Sequence, residues 1–229
     1  MCAESKQEDR VAGLVPFTTL EFPGHLSAVI FLQGCPWRCT YCHNPHLQEV
    51  LTGEKGRPWE EIESFLMTRR GKLEGVVFSG GEPLISSCLE KFIARVRSLG
   101  FLVALHTAGA FPKRLQTLLP FLDWIGFDLK APFRDYASIT QIPNSGSLAE
   151  ESLAFLLQGK IPFEVRVTAH PHFLSSEQIM EIAQEIRQKG VTTFALQRAR
   201  TPEREEMPGF YTPSFLATLQ TMFPHFTTR

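Results

Sequence analysis

The residues of this sequence with the clearest chemical potential are three cysteines in one short segment. Cys35, Cys39 and Cys42 follow the spacing C-x3-C-x2-C, whereas Cys2 and Cys88 stand alone. Three thiolates on one loop can bind three irons of a cubane [4Fe–4S] cluster and leave the fourth iron open to another ligand. We therefore predict a cluster at this segment, and we expect Cys2 and Cys88 to be plain residues.

The alternative for this segment is a structural zinc site of the Cys3His type, with His43 as the fourth ligand. Cys42 and His43 are adjacent, which is an unusual arrangement for two ligands of one tetrahedral ion. No other Cys-His group in the sequence completes such a site. We therefore favour the iron–sulfur cluster over zinc.

Polar residues also stand inside or at the ends of other short apolar segments. Gly80-Gly81-Glu82-Pro83 combines glycines, which let backbone groups approach a ligand, with a carboxylate that suits an ammonium group. Asp128 and Lys130 are two residues apart in an extended segment, so their side chains point the same way. Arg166 lies among apolar neighbours, and a buried arginine needs an anion. Each set also has an ordinary explanation: a turn, an exposed ion pair and a structural ion pair.

Short apolar segments that alternate with helical patterns must position these residues. The strand candidates are Ala28–Gln33, Gly75–Ser79, Leu102–His106, Trp124–Leu129, Phe163–Thr168 and Thr193–Gln197. Near-continuous apolar runs of this length are typical of parallel strands that are covered on both faces. The helix candidates are Pro58–Arg70, Cys88–Leu99, Pro112–Leu119, Ser147–Leu157, Ser175–Lys189 and Thr212–Met222.

The starts of two of these helices carry capping signals. Ser147 with Glu150 three residues later indicates a capping box, and either Ser175 or Ser176 is expected to cap the next helix. Strands that alternate with helices form βαβ units with right-handed crossovers and hence a parallel sheet. We predict an α/β fold, a partial (β/α)6 TIM-like barrel, with its chemistry at the C-terminal ends of the strands. We expect a single domain over residues 1–229, with a loose N-terminal tail over residues 1–15.

Composition excludes several classes of protein. The chain has 229 residues, a formal net charge of -1 and 43% hydrophobic residues, so it can form a real core. The near-zero net charge argues against a dedicated nucleic-acid binder. The sequence has no apolar run long enough to span a membrane, and its polar N-terminus does not resemble a signal peptide. We therefore expect a cytoplasmic protein.

The cysteine segment, with Tyr41 directly before the last cysteine, resembles the signature of the radical S-adenosylmethionine (SAM) enzymes. A closer resemblance is to the short activating proteins of anaerobic ribonucleoside-triphosphate reductase, which are glycyl-radical-enzyme activases. The matching segments are Glu21-Phe22-Pro23-Gly24, Phe31-Leu32-Gln33-Gly34-Cys35, Cys42-His43-Asn44-Pro45, Asp128-Leu129-Lys130-Ala131-Pro132-Phe133 and Ala195-Leu196-Gln197. This resemblance covers most of residues 16–200.

The resemblance implies a [4Fe–4S] cluster on the three cysteines, with SAM on the open iron. It also implies that SAM is cleaved to methionine and a 5′-deoxyadenosyl radical, which abstracts a hydrogen atom. The residues that it places at the cofactor are Tyr41, Gly80, Gly81, Glu82, His106, Asp128, Lys130, Arg166 and Gln197. Among these, the Gly-Gly-Glu-Pro motif would bind the amino group of SAM, and Lys130 and Arg166 suit its carboxylate. Gln197 would bond to the adenine or the ribose.

His106 and Ala108 are departures from the family pattern, in which many activases have an aspartate and an asparagine. Some activases use that aspartate to place a monovalent cation beside SAM, and a neutral imidazole cannot do so. His106 either contacts SAM or substrate or is a satisfied core histidine. His170 and His172 follow the fifth strand and are candidates for the rim of the barrel.

The resemblance also implies partners. The expected target is a glycyl-radical enzyme, such as an anaerobic ribonucleotide reductase, in a transient complex. A flavodoxin-like or ferredoxin-like protein would supply the electron. The alternatives are radical SAM modification of a small molecule, a peptide or an RNA base, and a non-catalytic zinc protein.

Overall fold

The structure is a computed structural model that describes residues 10–49, 56–200, 205, 207 and 211–229. Its strands are β1 (Arg10–Val11), β2 (Gly13–Thr18), β3 (Ser27–Leu32), β4 (Arg57–Pro58), β5 (Gly75–Gly80), β6 (Leu102–Thr107), β7 (Trp124–Leu129), β8 (Phe163–Ala169), β9 (Thr193–Arg198) and β10 (His225–Thr228). Its α-helices are α1 (Trp59–Arg69), α2 (Leu89–Ser98), α3 (Pro112–Leu118), α4 (Tyr136–Thr140), α5 (Ser145–Gln158), α6 (Ser176–Gln188) and α7 (Pro213–Met222).

The described residues fall into two compact units. The first contains the residues up to Pro36 together with Asn44–Thr107 and Lys113–Ile125. The second contains Trp37–His43, Ala108–Pro112 and Gly126–Arg229. Strand β7 therefore begins in the first unit and ends in the second.

In the first unit the strand order is β2-β3-β5-β6. Strands β3, β5 and β6 are parallel, and β2 pairs antiparallel with β3. Apolar side chains at neighbouring register positions form a core cluster on this sheet, which consists of Phe22, Val29, Val77, Ala104 and Trp124. Helices α1 and α2 pack through Trp59, which stacks on Phe92 with ring centroids 4.2 Å apart. Apolar residues on one face of each helix explain this packing.

In the second unit the strand order is β7-β8-β9-β10, and β10 runs parallel to β9. The register of β8 with β9 is parallel and pairs Arg166 with Ala195. Helix α6 buries one apolar face, which consists of Ile179, Ile182, Ala183 and Ile186. Its first turn is closed by a capping box in which Ser175 and Gln178 exchange side-chain hydrogen bonds with each other's backbone.

All six predicted strands are present, and the predicted α/β class with a parallel sheet is confirmed. The predicted cap at Ser175 is also confirmed. The predicted capping box at Ser147 is wrong, because α5 begins two residues earlier, at Ser145, and Ser147 lies within it. The Ser145 hydroxyl donates to the Ile142 carbonyl at 2.8 Å and so stabilises this earlier start.

The prediction of a loose tail over residues 1–15 is wrong for residues 10–15, and residues 1–9 lie outside the described part of the chain. Strand β2 pairs with β3 through Gly13–Phe31, Leu14–Ile30 and Val15–Val29, which orders this segment. Four further elements were not predicted, namely β1, β4, β10 and α4. Within the described residues, no helix is both long and apolar enough to cross a membrane.

Candidate functional site

The first unit holds both ends of the cysteine loop, the segment from Gln33 to Asn44. The Gly34 amide donates to the Leu47 carbonyl at 2.9 Å, and the Cys35 amide donates to the Gln48 carbonyl at 3.0 Å. The Gln33 side-chain amide donates to two further carbonyl oxygens of the same returning segment. These bonds close the base of the loop, so that Cys35 has a fixed backbone position directly after β3.

The two predicted glycines lie at the C-terminal end of β5 and contact this loop base. Gly80 has a φ of +136°, and a Cβ there would overlap the Leu32 carbonyl oxygen. A Cβ on Gly81 would overlap the Gly34 carbonyl oxygen. The Glu82 amide in turn donates to that Gly34 carbonyl at 2.8 Å. Glycine is therefore required here by the close approach of protein backbone, in addition to any ligand.

Glu82 is 1% exposed, and its carboxylate is held by the protein. Its Oε1 atom accepts from the Thr107 hydroxyl at 2.7 Å and from the Leu84 amide at 3.2 Å. Thr107 ends β6, so the two neighbouring strands β5 and β6 together position this carboxylate. A buried carboxylate at the end of a parallel strand is suited to bind a cation such as an ammonium group.

His106 is 7% exposed, and Glu21 contacts both of its ring nitrogens. Nε2 lies 2.8 Å from the Glu21 carbonyl oxygen, and Nδ1 lies 3.6 Å from Glu21 Oε2. The ring also packs edge-on against Trp124, with centroids 5.8 Å apart. This arrangement fits the alternative of a satisfied core histidine.

In the second unit, Tyr41 joins the cysteine loop to the strand end that carries Lys130. The Tyr41 hydroxyl donates to the Lys130 carbonyl at 2.7 Å, and its ring stacks on Phe173 with centroids 5.9 Å apart. Burial raises the pKa of Tyr41 well above its ordinary value, so the hydroxyl keeps its proton and stays a donor. His170, one of the two predicted rim histidines, lies 5.6 Å from the same ring.

Three charged groups form a network at the C-terminal end of β7. Arg166 Nε lies 2.7 Å from Asp128 Oδ1, and Lys130 Nζ lies 3.7 Å from Asp128 Oδ2. The Arg166 side chain is only 5% exposed, so its guanidinium needs the carboxylate. The structural ion pair considered for Arg166 is therefore present in the structure, and Asp128 is its partner.

Lys130 also influences the cysteine loop. Burial would lower the pKa of Lys130, but the negative charges of Asp128, Cys39 and Cys42 outweigh it and raise this pKa above its ordinary value. For Cys39 the balance is opposite: burial raises the pKa of the thiol, and the nearby Lys130 ammonium only partly offsets it. Partial burial and the same ammonium lower the pKa of His43. The positive charge of Lys130 thus partly offsets the cost that burial imposes on a thiolate at Cys39.

None of Cys35, Cys39 and Cys42 is in a disulfide, and all three are half-buried. Thiols of this kind fit the donor set of a cubane cluster, since ligating cysteines are thiolates and Lys130 compensates negative charge. Among the described residues, no three His, Cys, Asp or Glu side chains converge on the position of one metal ion. A cubane needs no such convergence, because each thiolate binds a different iron.

Gly126 is a site residue that sequence analysis missed. It lies on β7, and a Cβ there would come within 2.6 Å of the Arg166 Cζ and Nη1 atoms. Its lack of a side chain therefore makes room for the guanidinium that pairs with Asp128. The available signal was an isolated glycine inside an apolar strand, which often marks such a close approach.

Gln197 and the two isolated cysteines are the remaining residues that the sequence analysis singled out. Gln197 is half-buried near the end of β9 and pairs in register with Thr168 of β8. Cys88 is buried directly before α2. Cys2 lies outside the described residues.

Residues 29–196 match the radical SAM superfamily. This match extends over most of the chain and contains the cysteine loop, the Gly-Gly-Glu-Pro motif and the Asp128–Arg166 pair. The chain therefore belongs to the radical SAM superfamily and is a radical SAM enzyme.

Individual relatives narrow this class. A Methanocaldococcus jannaschii protein that bears the name of a glycyl-radical enzyme activating enzyme is 30% identical over 198 residues, which cover 82% of this chain and 79% of the relative. The pyruvate formate-lyase-activating enzyme of Staphylococcus aureus is 30% identical over 140 residues, which cover 56% of this chain and 55% of that enzyme. The chain thus spans most of the first relative but only about half of the second.

Solved structures confirm the fold. Streptococcus suis SuiB bound to S-adenosylmethionine superposes with a TM-score of 0.59 at 14% sequence identity, over 86% of this chain and 45% of SuiB. At this identity the likeness concerns the fold alone.

Proposed function

We propose that this radical SAM enzyme is a glycyl-radical-enzyme activase and that its target is an anaerobic ribonucleotide reductase. The observation that carries the first part is the 30% identity to the M. jannaschii activating enzyme over 79% of that protein's length. The narrower target rests on the resemblance of segments such as Asp128–Phe133 and Cys42–Pro45 to the reductase activators. One superfamily match that extends from residue 29 to 196 also supports the proposal of a single radical SAM domain.

The proposed cluster ligands are Cys35, Cys39 and Cys42. When bound, the reduced cluster supplies the electron that cleaves SAM to methionine and the 5′-deoxyadenosyl radical, which removes a hydrogen atom from the target. Cys35 is presented by a closed loop base, while the Lys130 ammonium partly offsets the burial that raises the pKa of the Cys39 thiol. A positive charge beside the loop suits ligands that must be deprotonated to bind iron.

The charged residues at the strand ends are the proposed SAM contacts. The buried Glu82 carboxylate suits the amino group of SAM, and Thr107 and Leu84 hold it in place. Lys130 suits the carboxylate of SAM, because its ammonium keeps its charge and lies 3.7 Å from its own Asp128 partner rather than in a tight pair. Arg166 donates through Nε to Asp128, so we propose that it orients Asp128 and also contacts the carboxylate of SAM. Tyr41, Gly80, Gly81 and Gln197 would line the same cofactor.

A glycine Cα–H is a suitable target for hydrogen abstraction, since the flanking amides stabilise the resulting radical. The glycine loop must leave its own protein to reach SAM, so we expect a transient complex with an interface of moderate size. The electron donor would be a flavodoxin-like or ferredoxin-like protein, and the proposed location of all partners is the cytoplasm.

The experiment combines reduced protein, SAM and the host's anaerobic ribonucleotide reductase without oxygen, followed by EPR spectroscopy. We expect a doublet from one α-hydrogen that collapses when the radical glycine is deuterated, and no doublet with the Cys39→Ala variant. A doublet on another glycyl-radical enzyme of the host, with none on the reductase, would retain the activase and reject this target. SAM cleavage without any protein radical would instead favour modification of a small molecule, a peptide or an RNA base. Zinc without iron in the purified protein would contradict the proposal that the three cysteines bind an iron–sulfur cluster.

A further inference from the structure

Helix α4 supports the cysteine loop through the groups at its C-terminal end. The last carbonyls of a helix have no partner within the helix. Here the Arg38 amide donates to the Thr140 carbonyl at 2.9 Å, and the Thr40 amide donates to the Ile139 carbonyl at 3.0 Å. Gln141, with a φ of +58°, ends the helix directly afterwards. The part of the loop that carries Cys39 is thus bonded to α4.

Tyr136, the first residue of α4, contacts both the loop and the strand end. It is fully buried, and Trp37 of the loop packs edge-on against its ring with centroids 5.6 Å apart. Its hydroxyl accepts from the Lys130 amide at 3.1 Å. The Tyr41 hydroxyl donates to the carbonyl of the same residue at 2.7 Å. Two tyrosine hydroxyls therefore hold the two backbone polar groups of Lys130.

We infer that Tyr136 is a positioning residue for the cysteine loop and for Lys130. Through its ring it supports Trp37, and through its hydroxyl it fixes the backbone from which the Lys130 ammonium extends. Since Trp37 packs on its ring and the Arg38 and Thr40 amides bond to the same short helix, a change at Tyr136 reaches the segment that carries Cys39 without touching the cysteine itself. The part of this inference that concerns SAM rests on the proposed function, whereas the part that concerns the loop does not.

The first test uses the apoprotein, so that neither cluster nor SAM is needed. Tyr136→Phe keeps the ring and removes only the hydroxyl, and alkylation by iodoacetamide is measured at each cysteine by mass spectrometry. Losing one hydrogen bond should increase the population of the open loop by about 2- to 10-fold. The alkylation rates of Cys39 and Cys42 should increase by the same factor. Cys35 should react at the unchanged rate, because its amide is held by Gln48 in the other unit.

The second test uses the reconstituted enzyme. Tyr136→Phe should keep the full iron content of the wild type, weaken SAM binding by about 2- to 10-fold and alter the EPR spectrum of the reduced cluster with SAM. Tyr41→Phe should have the same effects. In the double variant SAM affinity should fall by less than the product of the two single factors, because both hydroxyls act on the Lys130 backbone. Tyr211→Phe is the matched control, since the ring of this third tyrosine stacks on Phe215 instead.

Two outcomes would overturn the inference. Equal acceleration at Cys35, Cys39 and Cys42, or a large fall in the unfolding temperature, would mean that Tyr136 only supports the fold. Wild-type alkylation rates at all three cysteines in Tyr136→Phe would mean that the hydroxyl does not position the loop. If the alkylation pattern is as expected while the protein shows no SAM chemistry, the positioning role stands and the proposed function fails.

Discussion

At the scale of single residues, the charges around the cysteine loop have different tasks. Asp128 compensates the buried Arg166 guanidinium at 2.7 Å, while Lys130 stands at a longer distance from the same carboxylate and influences two cysteines. Because a charge keeps its effect over several ångströms in a poorly solvated site, Lys130 can act on thiolates and on a bound anion together. A Lys130 variant should therefore differ from the cysteine variants: it should weaken SAM binding, whereas they should lose the cluster.

The cysteine variants give the simplest residue-scale prediction. Cys35→Ala, Cys39→Ala and Cys42→Ala should each lose the cluster after anaerobic reconstitution, since every thiolate binds its own iron. Wild-type protein should contain about four irons per chain, measured by metal analysis together with sulfide. Thr40→Ala, an exposed change in the same loop, should keep the full iron content. A redox-active [4Fe–4S] cluster in any of the three cysteine variants would contradict the ligand assignment.

Lys130→Met removes the ammonium and keeps most of the side-chain stem. We expect the iron content to remain while SAM affinity falls by roughly 10- to 150-fold, as for the loss of a charged hydrogen bond of about 1.5–3 kcal/mol. The measurement is an EPR titration of the reduced cluster with SAM. Arg134→Met is the control, because this arginine is exposed and pairs with Glu181. Equal affinities for wild type and Lys130→Met would show that the SAM carboxylate is held elsewhere.

At the scale of elements, strand ends carry the candidate site residues, and small residues on the strands admit them. Strand β5 ends in glycines that contact the backbone of the cysteine loop, and β7 carries Gly126 beneath the Arg166 guanidinium. The C-terminal ends of parallel strands are where α/β proteins bind their ligands. The elements thus fix the position of the charges, and a substitution within a strand should displace the charged groups that it contacts.

Gly126→Ala tests this idea. The added methyl would lie 2.6 Å from Arg166 Cζ, so the guanidinium must move away from Asp128. We expect the free energy of unfolding to fall by about 1–3 kcal/mol, the usual cost of overpacking, and SAM affinity to fall as well. Denaturant unfolding and the EPR titration measure the two effects.

Gly13→Ala is the matched control for this strand glycine. The nearest heavy atom to its added Cβ would be 4.0 Å away, at Phe31 Cβ. It should therefore change the free energy of unfolding by no more than about 0.5 kcal/mol. Equal losses for the two glycine variants would contradict the special role of Gly126.

At the scale of the whole molecule, cofactor binding should contribute to stability. A ligand that binds only the folded state at 100 times its Kd stabilises a protein by about 2.7 kcal/mol. For a chain of this size that corresponds to a rise of about 5–10 °C in unfolding temperature. We expect this rise when SAM is added to the cluster-loaded protein and a much smaller one after the cluster has been removed, measured by anaerobic thermal unfolding. The same rise in apoprotein would mean that SAM binds without the cluster.

Much of the fold followed from local patterns. The six predicted strands are short runs of mostly apolar residues, and the Ser175 cap of α6 is a signal within four residues. Such features depend on neighbours in sequence, so periodicity and capping rules predict them. By contrast, α4 has only five residues, and β2 contains Pro16 and partly exposed residues, so neither shows a clear pattern.

The three cysteines of the loop and the charged residues at the strand ends could be singled out from the sequence itself, because their spacing and types predict a particular chemistry. Only the tertiary structure decided which groups these residues contact. The Asp128–Arg166 ion pair, the contact of Glu21 with His106 and the hydrogen bond from Tyr41 to Lys130 join residues that are far apart in the chain. The partner of a buried polar group depends on which strands and loops lie beside it, and no local pattern contains that information.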